Sequence, residues 1–268
     1  MVSSIKTRLD LLVTELGIAE SRDEAQRLIR RGAILVEEVP IDKPGTRVAA
    51  DACIRCRYQP SRYVSRGGEK LERALDVFGL SVQDCGCADL GASTGGFVDC
   101  LLQHGAKWVY AVDVGAGQLH ERLRTDPRVR IMDRTNARCL TADSFGEAIQ
   151  VVTMDLSFIS VRLVLPAVRG FLSPDGWVVV LVKPQFEIGK GLVGKGGVVR
   201  DPADHCGVLD SFLEWASMEW TVQGVEPSPV RGKNGNIEFL AYLKPGGGHR
   251  EIDVVEIVKR AHESDLSE

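Results

Sequence analysis

Asp89-Leu-Gly-Ala-Ser-Thr-Gly-Gly-Phe97 is the stretch on which the fold of this 268-residue chain turns. It sets an acid and three glycines where a strand hands over to a helix. Cys85 to Leu90 is a short apolar run of strand type, and Gly96 to Gln103 continues with helical spacing through Phe97, Cys100 and Leu101. Glycines at such a junction let the backbone approach a ligand closely, and the helix start offers unpaired N–H groups. No Gly-Lys-Ser/Thr follows, so this is not a phosphate cradle, and the spacing departs from the G-x-G-x-x-G of dinucleotide folds. A nucleoside cofactor is the favoured guest, and a purely structural Gly-rich βα turn is the alternative.

Working outward from the loop, strand and helix alternate. Cys85 to Leu90, Trp108 to Asp113, Val129 to Met132, Val151 to Asp155 and Trp177 to Val182 read as strands, with helical patterns between most of them. That alternation predicts an α/β, doubly wound parallel sheet of Rossmann-like type. Val222 to Glu226 and Ile237 to Leu243 are joined by a Pro/Gly-rich turn and are expected to pair antiparallel. Ligands of such sheets bind beyond the carboxyl ends of the strands. Asp89, Asp113, Asp155 and Lys183 occupy four of those ends. A carboxylate closing the first strand, followed by small residues, is the pattern of methyltransferases that bind S-adenosyl-L-methionine. Asp113, in Ala111-Val-Asp-Val-Gly115, is placed to accept hydrogen bonds from ribose hydroxyls.

Lys70 near a helix start and Glu238 in the expected last strand add to Asp155 and Lys183, giving two lysines and two carboxylates around one cleft. Methylating an alcohol with a sulfonium donor requires a weakly acidic hydroxyl to be made nucleophilic and aligned with the methyl carbon. A lysine is one group able to take that proton, with the acids orienting the amines. No metal is required. Cys53-x-x-Cys56 and Cys85-x-Cys87 do not make a zinc site, since the second spacing is wrong for a ribbon and no histidine sits nearby, and seven cysteines scattered along the chain read as buried thiols rather than a disulfide framework.

The N-terminal part differs. Residues 1–70 hold 13 Lys+Arg and 10 Asp+Glu, a net +3, so the remainder carries −7 against a total of −4. A basic head on an acidic body points mildly to a polyanionic partner. Lys6 to Leu16 has helical spacing closed by Gly17, and Ser21-Arg-Asp-Glu24 forms a capping box for a second helix. Two short strands, Ala33 to Val36 and Val39 to Ile41, should follow. Arg22, Arg27, Arg30 and Arg31 are placed to line an edge that faces a phosphate backbone. Tyr58 to Gly68 reads as a connector. No apolar run is long enough to cross a bilayer and no signal-like N-terminus is present, so a cytoplasmic location is expected.

These residues carry a resemblance. Arg8-Leu-Asp10, Ser21-Arg22, Ala25, Leu28-Ile29, Gly32 and Lys43-Pro-Gly45 resemble the S4-type RNA-binding domain, although its hairpin tip is here Glu37-Glu38. Arg66-Gly-Gly-Glu-Lys70, the Asp89 to Phe97 loop, Asp113-Val-Gly-Ala-Gly-Gln-Leu119, Arg134-Thr-Asn-Ala137, Asp155-Leu-Ser-Phe-Ile-Ser160, Val182-Lys-Pro-Gln-Phe-Glu187 and Gly235-Asn-Ile-Glu238 resemble the TlyA family over essentially the entire chain. The resemblance implies an S4-type domain over residues 1–60, a linker over 61–67 and an FtsJ-like methyltransferase domain over 68–268. It implies S-adenosyl-L-methionine as cofactor, ribosomal RNA or ribosomal subunits as partner, and 2′-O-methylation of cytidine ribose in the large-subunit RNA or both subunits' RNAs. The family's activity is linked to susceptibility to cyclic-peptide antibiotics.

Carried over residue by residue, the family's Lys-Asp-Lys-Glu tetrad falls on Lys70, Asp155, Lys183 and Glu238. Cofactor contacts are expected from Asp89, Gly91, Ala92, Ser93, Thr94, Gly95, Gly96, Phe97, Asp113, Val114, Asn136 and Asp155. RNA contacts are expected from Arg8, Arg22, Arg27, Arg30, Arg31 and Arg66, with Phe186 stacking on a base and Lys190 and Lys195 meeting phosphate. Glu187 rivals Glu238 for the fourth catalytic place, but its Gly/Lys loop suits RNA contact better. The connector Ser61-Arg62-Tyr63-Val64 replaces an Arg-Ala-Trp-Val found in the family, which puts a coupling role for it in doubt. Competing readings are a haemolysin-like membrane-active protein, since relatives carry that name, and a non-catalytic RNA-binding ribosome-assembly factor.

Overall fold

The computed structural model describes residues 6–19, 21–57, 62–189, 191–194 and 196–263. The chain divides into two compact units, Met1–Ser61 and Arg62–Glu268. In the first unit, β1 (Lys6–Arg8), α1 (Leu9–Glu15), α2 (Arg22–Arg30), β2 (Ile34–Val36), β3 (Val39–Pro40), β4 (Arg47–Ala49) and β5 (Ile54–Cys56) follow in order. Leu9, Leu12, Val13, Ala25, Ile29, Ile34 and Val48 form its core. The helix expected from Lys6 begins instead at Leu9, because Lys6–Arg8 pairs antiparallel with β4. The first amides of α1 then find carbonyls in the adjoining turn, Leu9 N–H on Thr46 O at 2.8 Å and Asp10 N–H on Pro44 O at 3.1 Å. Ser21 Oγ accepts from Glu24 N, so the N-cap of α2 stands where the spacing put it.

β2 lies between β3 and β5, and its hairpin to β3 turns through Glu37 and Glu38, both with positive φ (50° and 65°). Asn-Gly is the usual choice there. Both acids are engaged locally: Glu37 Oε1 accepts from Cys53 N at 2.8 Å, and Glu38 Oε1 pairs with Arg55 Nη1 at 2.9 Å.

The second unit opens with α3 (Gly67–Phe78) and continues through β6 (Gly86–Leu90), α4 (Gly96–Gln103), β7 (Trp108–Val112), α5 (Glu121–Arg124), β8 (Val129–Met132), β9 (Ile149–Met154), α6 (Leu165–Phe171), β10 (Leu172–Val182), α7 (Pro184–Glu187), α8 (Pro202–Ala216), β11 (Trp220–Pro227), β12 (Phe239–Pro245) and α9 (Val254–Glu263). Seven strands form one sheet in the order β11-β12-β10-β9-β6-β7-β8. β6 to β10 are parallel, and β12 runs antiparallel to both β10 and β11.

Alternation along the central strands supplies the two faces. Ala88, Leu90, Val152, Met154, Val178, Val180 and Val182 pack on the side of α6, α8 and α9. Cys87, Val109, Ala111, Val151, Val179 and Leu181 pack on the side of α3, α4 and α5. The chain reverses its direction of travel across the sheet between β6 and β9. Such a switch point opens a crevice at the carboxyl ends of the strands.

Candidate active site

That crevice is a cleft of about 300 Å³. Ser65, Arg66, Gly67 and Lys70 form one wall, Asp89, Gly91–Thr94, Gly96 and Phe97 form the floor, and Asp155, Ser157, Lys183 and Val230–Lys233 complete the mouth. The loop is shaped by strand ends on both sides. Gly91 and Ala92 donate to Val112 O, and Asp155 N donates to Leu90 O. A Cβ on Gly91, whose φ is +89°, would fall 2.6 Å from the Asp155 carbonyl oxygen. One on Gly96 would collide with Ser65 Oγ and come within 2.8 Å of Gly68 N. These two glycines therefore serve a close approach of the protein's own segments, where the sequence suggested room for a ligand.

Asp89 is 1 % exposed. Thr153 Oγ1 donates to its Oδ1 at 2.7 Å, while Oδ2 is buried without a hydrogen-bond partner. Burial, opposed by the Thr153 bond and reinforced by Asp155 and Asp113, pushes its carboxyl up to about 8. A buried, unpartnered carboxylate oxygen on a cleft floor suits a cationic ligand group. The sulfonium and ammonium of S-adenosylmethionine are such groups, so the residues fit that cofactor.

Asp113 stands one residue beyond β7 and is absent from the cleft wall. Its two oxygens accept from Ser93 N (2.8 Å) and Gly115 N (2.7 Å), holding the glycine loop from behind. Val114 is 73 % exposed, Asn136 Oδ1 accepts from Arg138 N at 3.1 Å, and a Cβ on Gly95 would collide with Leu119 and Leu123. None of these three lines the cleft either.

The four groups expected to act together do meet. Lys70 Nζ lies 2.6 Å from Glu238 Oε2 and 4.0 Å from Asp155 Oδ2, and Lys183 Nζ lies 2.6 Å from Asp155 Oδ1. Lys183 Nζ also donates to Ser157 Oγ at 3.4 Å. Lys70 and Lys183 are both buried, as is Glu238. Burying two ammonium groups and their partners is costly and is not demanded by folding. Glu238 immediately precedes β12 rather than lying within it. Because β12 runs antiparallel, its start falls at the same sheet edge as the ends of β9 and β10, which brings residue 238 to Lys70.

Glu187 is not part of this network. Its carboxylate is buried under the turn after Phe158, where it accepts from Ser160 Oγ at 2.7 Å and Val161 N at 2.8 Å, with Arg162 Nε at 3.5 Å. Burial outweighs those partners and raises its carboxyl above the ordinary value. The expected RNA-facing role for Glu187 therefore gives way to a structural one. Phe186 is half-buried, with its ring centroid 5.5 Å from that of Phe158, which is 83 % exposed. Lys190 and Lys195 lie outside the described residues.

In the first unit, Arg8 grips Asp10 with two bonds of 2.9 Å, and Arg22 Nε reaches the same fully buried carboxylate at 3.0 Å. Gln26 adds a fourth bond at 3.1 Å. The Arg8 guanidinium, with Arg22 and Gln26, holds the Asp10 carboxyl well below the usual carboxylate range against the cost of burial. Arg8 and Arg22 are thus committed to the fold, whereas Arg27, Arg30 and Arg31 are exposed.

Sequence reasoning missed Ser65, Ser157 and Val230–Lys233 at the cleft. Arg231 and Lys233 flank a glycine within a turn read only as a connector, and that pair of cations was the available signal. Residues 62–66 also belong to the second unit's packing. Tyr63 is 4 % exposed in its core, Val64 N donates to Asp99 Oδ2 at 2.8 Å, and a Cβ on Gly68 would collide with the Tyr63 ring. No helix among the described residues is long and apolar enough to cross a membrane.

Residues 63–244 match the FtsJ-like methyltransferase family model, and residues 7–52 match the S4 domain. A Bacillus subtilis protein provisionally called the rRNA methyltransferase YqxC is 45 % identical over 271 residues, covering 98 % of this chain and 96 % of the relative. The 16S/23S rRNA (cytidine-2′-O)-methyltransferase TlyA of Mycobacterium tuberculosis is 44 % identical over 241 residues, covering 89 % and 90 %. A solved structure from Streptococcus thermophilus, provisionally called a hemolysin, superposes with a TM-score of 0.79 at 41 % identity, covering 98 % of each chain. With the tetrad assembled on a switch-point cleft and the match extending over both units, the chain belongs to the TlyA group of FtsJ-like methyltransferases, with an S4 domain at its N-terminus.

Proposed function

We propose that this enzyme methylates the 2′-oxygen of cytidine ribose in ribosomal RNA, using S-adenosyl-L-methionine, on the large subunit and, as its resemblance to dual-acting members suggests, on the small subunit too. The observation that carries the reading is the chain Glu238–Lys70–Asp155–Lys183, closed by contacts of 2.6, 4.0 and 2.6 Å beside the Asp89 floor. The name of the mycobacterial relative supports the substrate. Asp89, Ala92, Ser93, Thr94 and Phe97 would hold the cofactor, which supplies an electrophilic methyl group when bound.

Lys183, once its ammonium has released a proton to solvent, would take the 2′-hydroxyl proton on its free amine as the ribose oxygen accepts the methyl group. Asp155 orients both lysines from between them, and Glu238 fixes Lys70. Holding the hydroxyl in line supplies much of the remaining barrier reduction. Arg27, Arg30, Arg31 and Arg66 contribute sequence-independent attraction to phosphate.

The test is transfer of labelled methyl to isolated subunits and whole ribosomes, followed by mapping of the product. Lys183→Ala is expected to lower the single-turnover rate by about 10²- to 10⁴-fold with cofactor affinity retained. Wild-type transfer by that variant, or lysis of lipid vesicles by the protein without RNA, would sink this reading.

A further inference from the structure

We infer that Asn236 is a positioning residue, a latch that ties the loop following Lys183 to the segment carrying Glu238. The inference rests on the methyltransferase reading above and deepens it. Asn236 is 2 % exposed, and a buried amide is costly unless its bonds are met. Its Oδ1 accepts from Val199 N at 3.1 Å, and its Nδ2 donates to Gly197 O at 2.9 Å and Lys233 O at 3.0 Å. Both amide hydrogens and one oxygen lone pair are thereby used. Two of the three bonds cross to the loop between α7 and α8, and the third closes the turn on its own side.

The turn itself is built to present these groups. Asn234 and Gly235 both take left-handed φ values, 60° and 85°, and Gly232 N donates to Asn236 O at 2.9 Å. A Cβ on Gly232 would collide with the Glu238 carboxylate, so the turn closes directly over the group that fixes Lys70. Asn234 Nδ2 adds a bond to Gly196 O at 3.0 Å. On the other side of the latch, Val198 and Val199 are buried, which anchors that end of the loop. Gly196–Val199 and the turn from Val230 to Glu238 are therefore tied together beside the cleft. Holding that turn in place holds Glu238, and with it the 2.6 Å contact to Lys70.

A spacer that merely supported the fold would not separate rate from binding, so the test reads both. Asn236→Ala is expected to slow single-turnover methyl transfer by on the order of a hundredfold, as misplacement near 1 Å does, with affinity for S-adenosylhomocysteine unchanged. Amide exchange over residues 197–199 should quicken in that variant while exchange in the central strands stays as in wild type. Should Asn236→Ala fail to fold, Asn234→Gly tests the same latch. It deletes the Gly196 bond at a position whose φ suits glycine, and a slower rate with faster exchange over 196–199 is expected. Wild-type rate and exchange in either folded variant overturn the proposal. Failure of the wild-type protein itself to methylate any ribosomal substrate would instead overturn the underlying reading.

Discussion

Asp89 shows how one carboxyl can oppose the fold and serve the site. With its carboxyl raised from 3.8 to about 8, the folded protein keeps a proton that the unfolded chain releases. Stability without ligand therefore falls as pH climbs from about 4 toward about 8, the sign expected for a raised acid. Asp89→Asn should melt higher than wild type at pH 7, converge with it near pH 4, and lose cofactor affinity by calorimetry. An unchanged melting point at pH 7 would refute the assignment. Gly91→Ala should destabilise by about 1–3 kcal/mol in chemical denaturation, because its φ of +89° and the Asp155 carbonyl both resist a side chain. At this scale the sequence was legible in residue type and less so in purpose. An acid and glycines could be expected at the strand end, but only the fold reveals that Asp113 serves two backbone amides and that Gly91 makes room for Asp155.

Among the elements, the parallel strands were readable because apolar runs of five or six residues bounded by glycine and polar turns leave little choice once both faces are buried. The three-residue strands β1, β4 and β5 were not. Each is too short to show a period, and Lys6–Arg8 borrows its extended form from a partner forty residues away. The connection after β10 was equally opaque, since the clients of Glu187 lie on another loop. Glu187→Ala is expected to cost about 1–3 kcal/mol, measured by urea unfolding, because Ser160 Oγ and Val161 N lose their acceptor. The N-cap at Ser21 needed no such help, because its bond spans only three residues.

Across the chain, the uneven distribution of charge separates two tasks. Reversal of Arg27, Arg30 and Arg31 to glutamate should weaken binding to ribosomal RNA and flatten its dependence on salt, since each phosphate contact releases counterions, while cofactor affinity stays constant in calorimetry. Equal salt slopes for the variant and wild type would remove those arginines from the RNA surface. The tetrad was legible at this scale because its members sit in separate short motifs. Their meeting around one cleft was expected too, but its distances were not, because they depend on the antiparallel entry of β12. That entry has a consequence in time as well as space. Lys70 and its partner are 168 residues apart, so their pair forms only once β12 has joined β10. A chain with β12 undocked can thus carry its glycine loop and both lysines while lacking the group that sets Lys70.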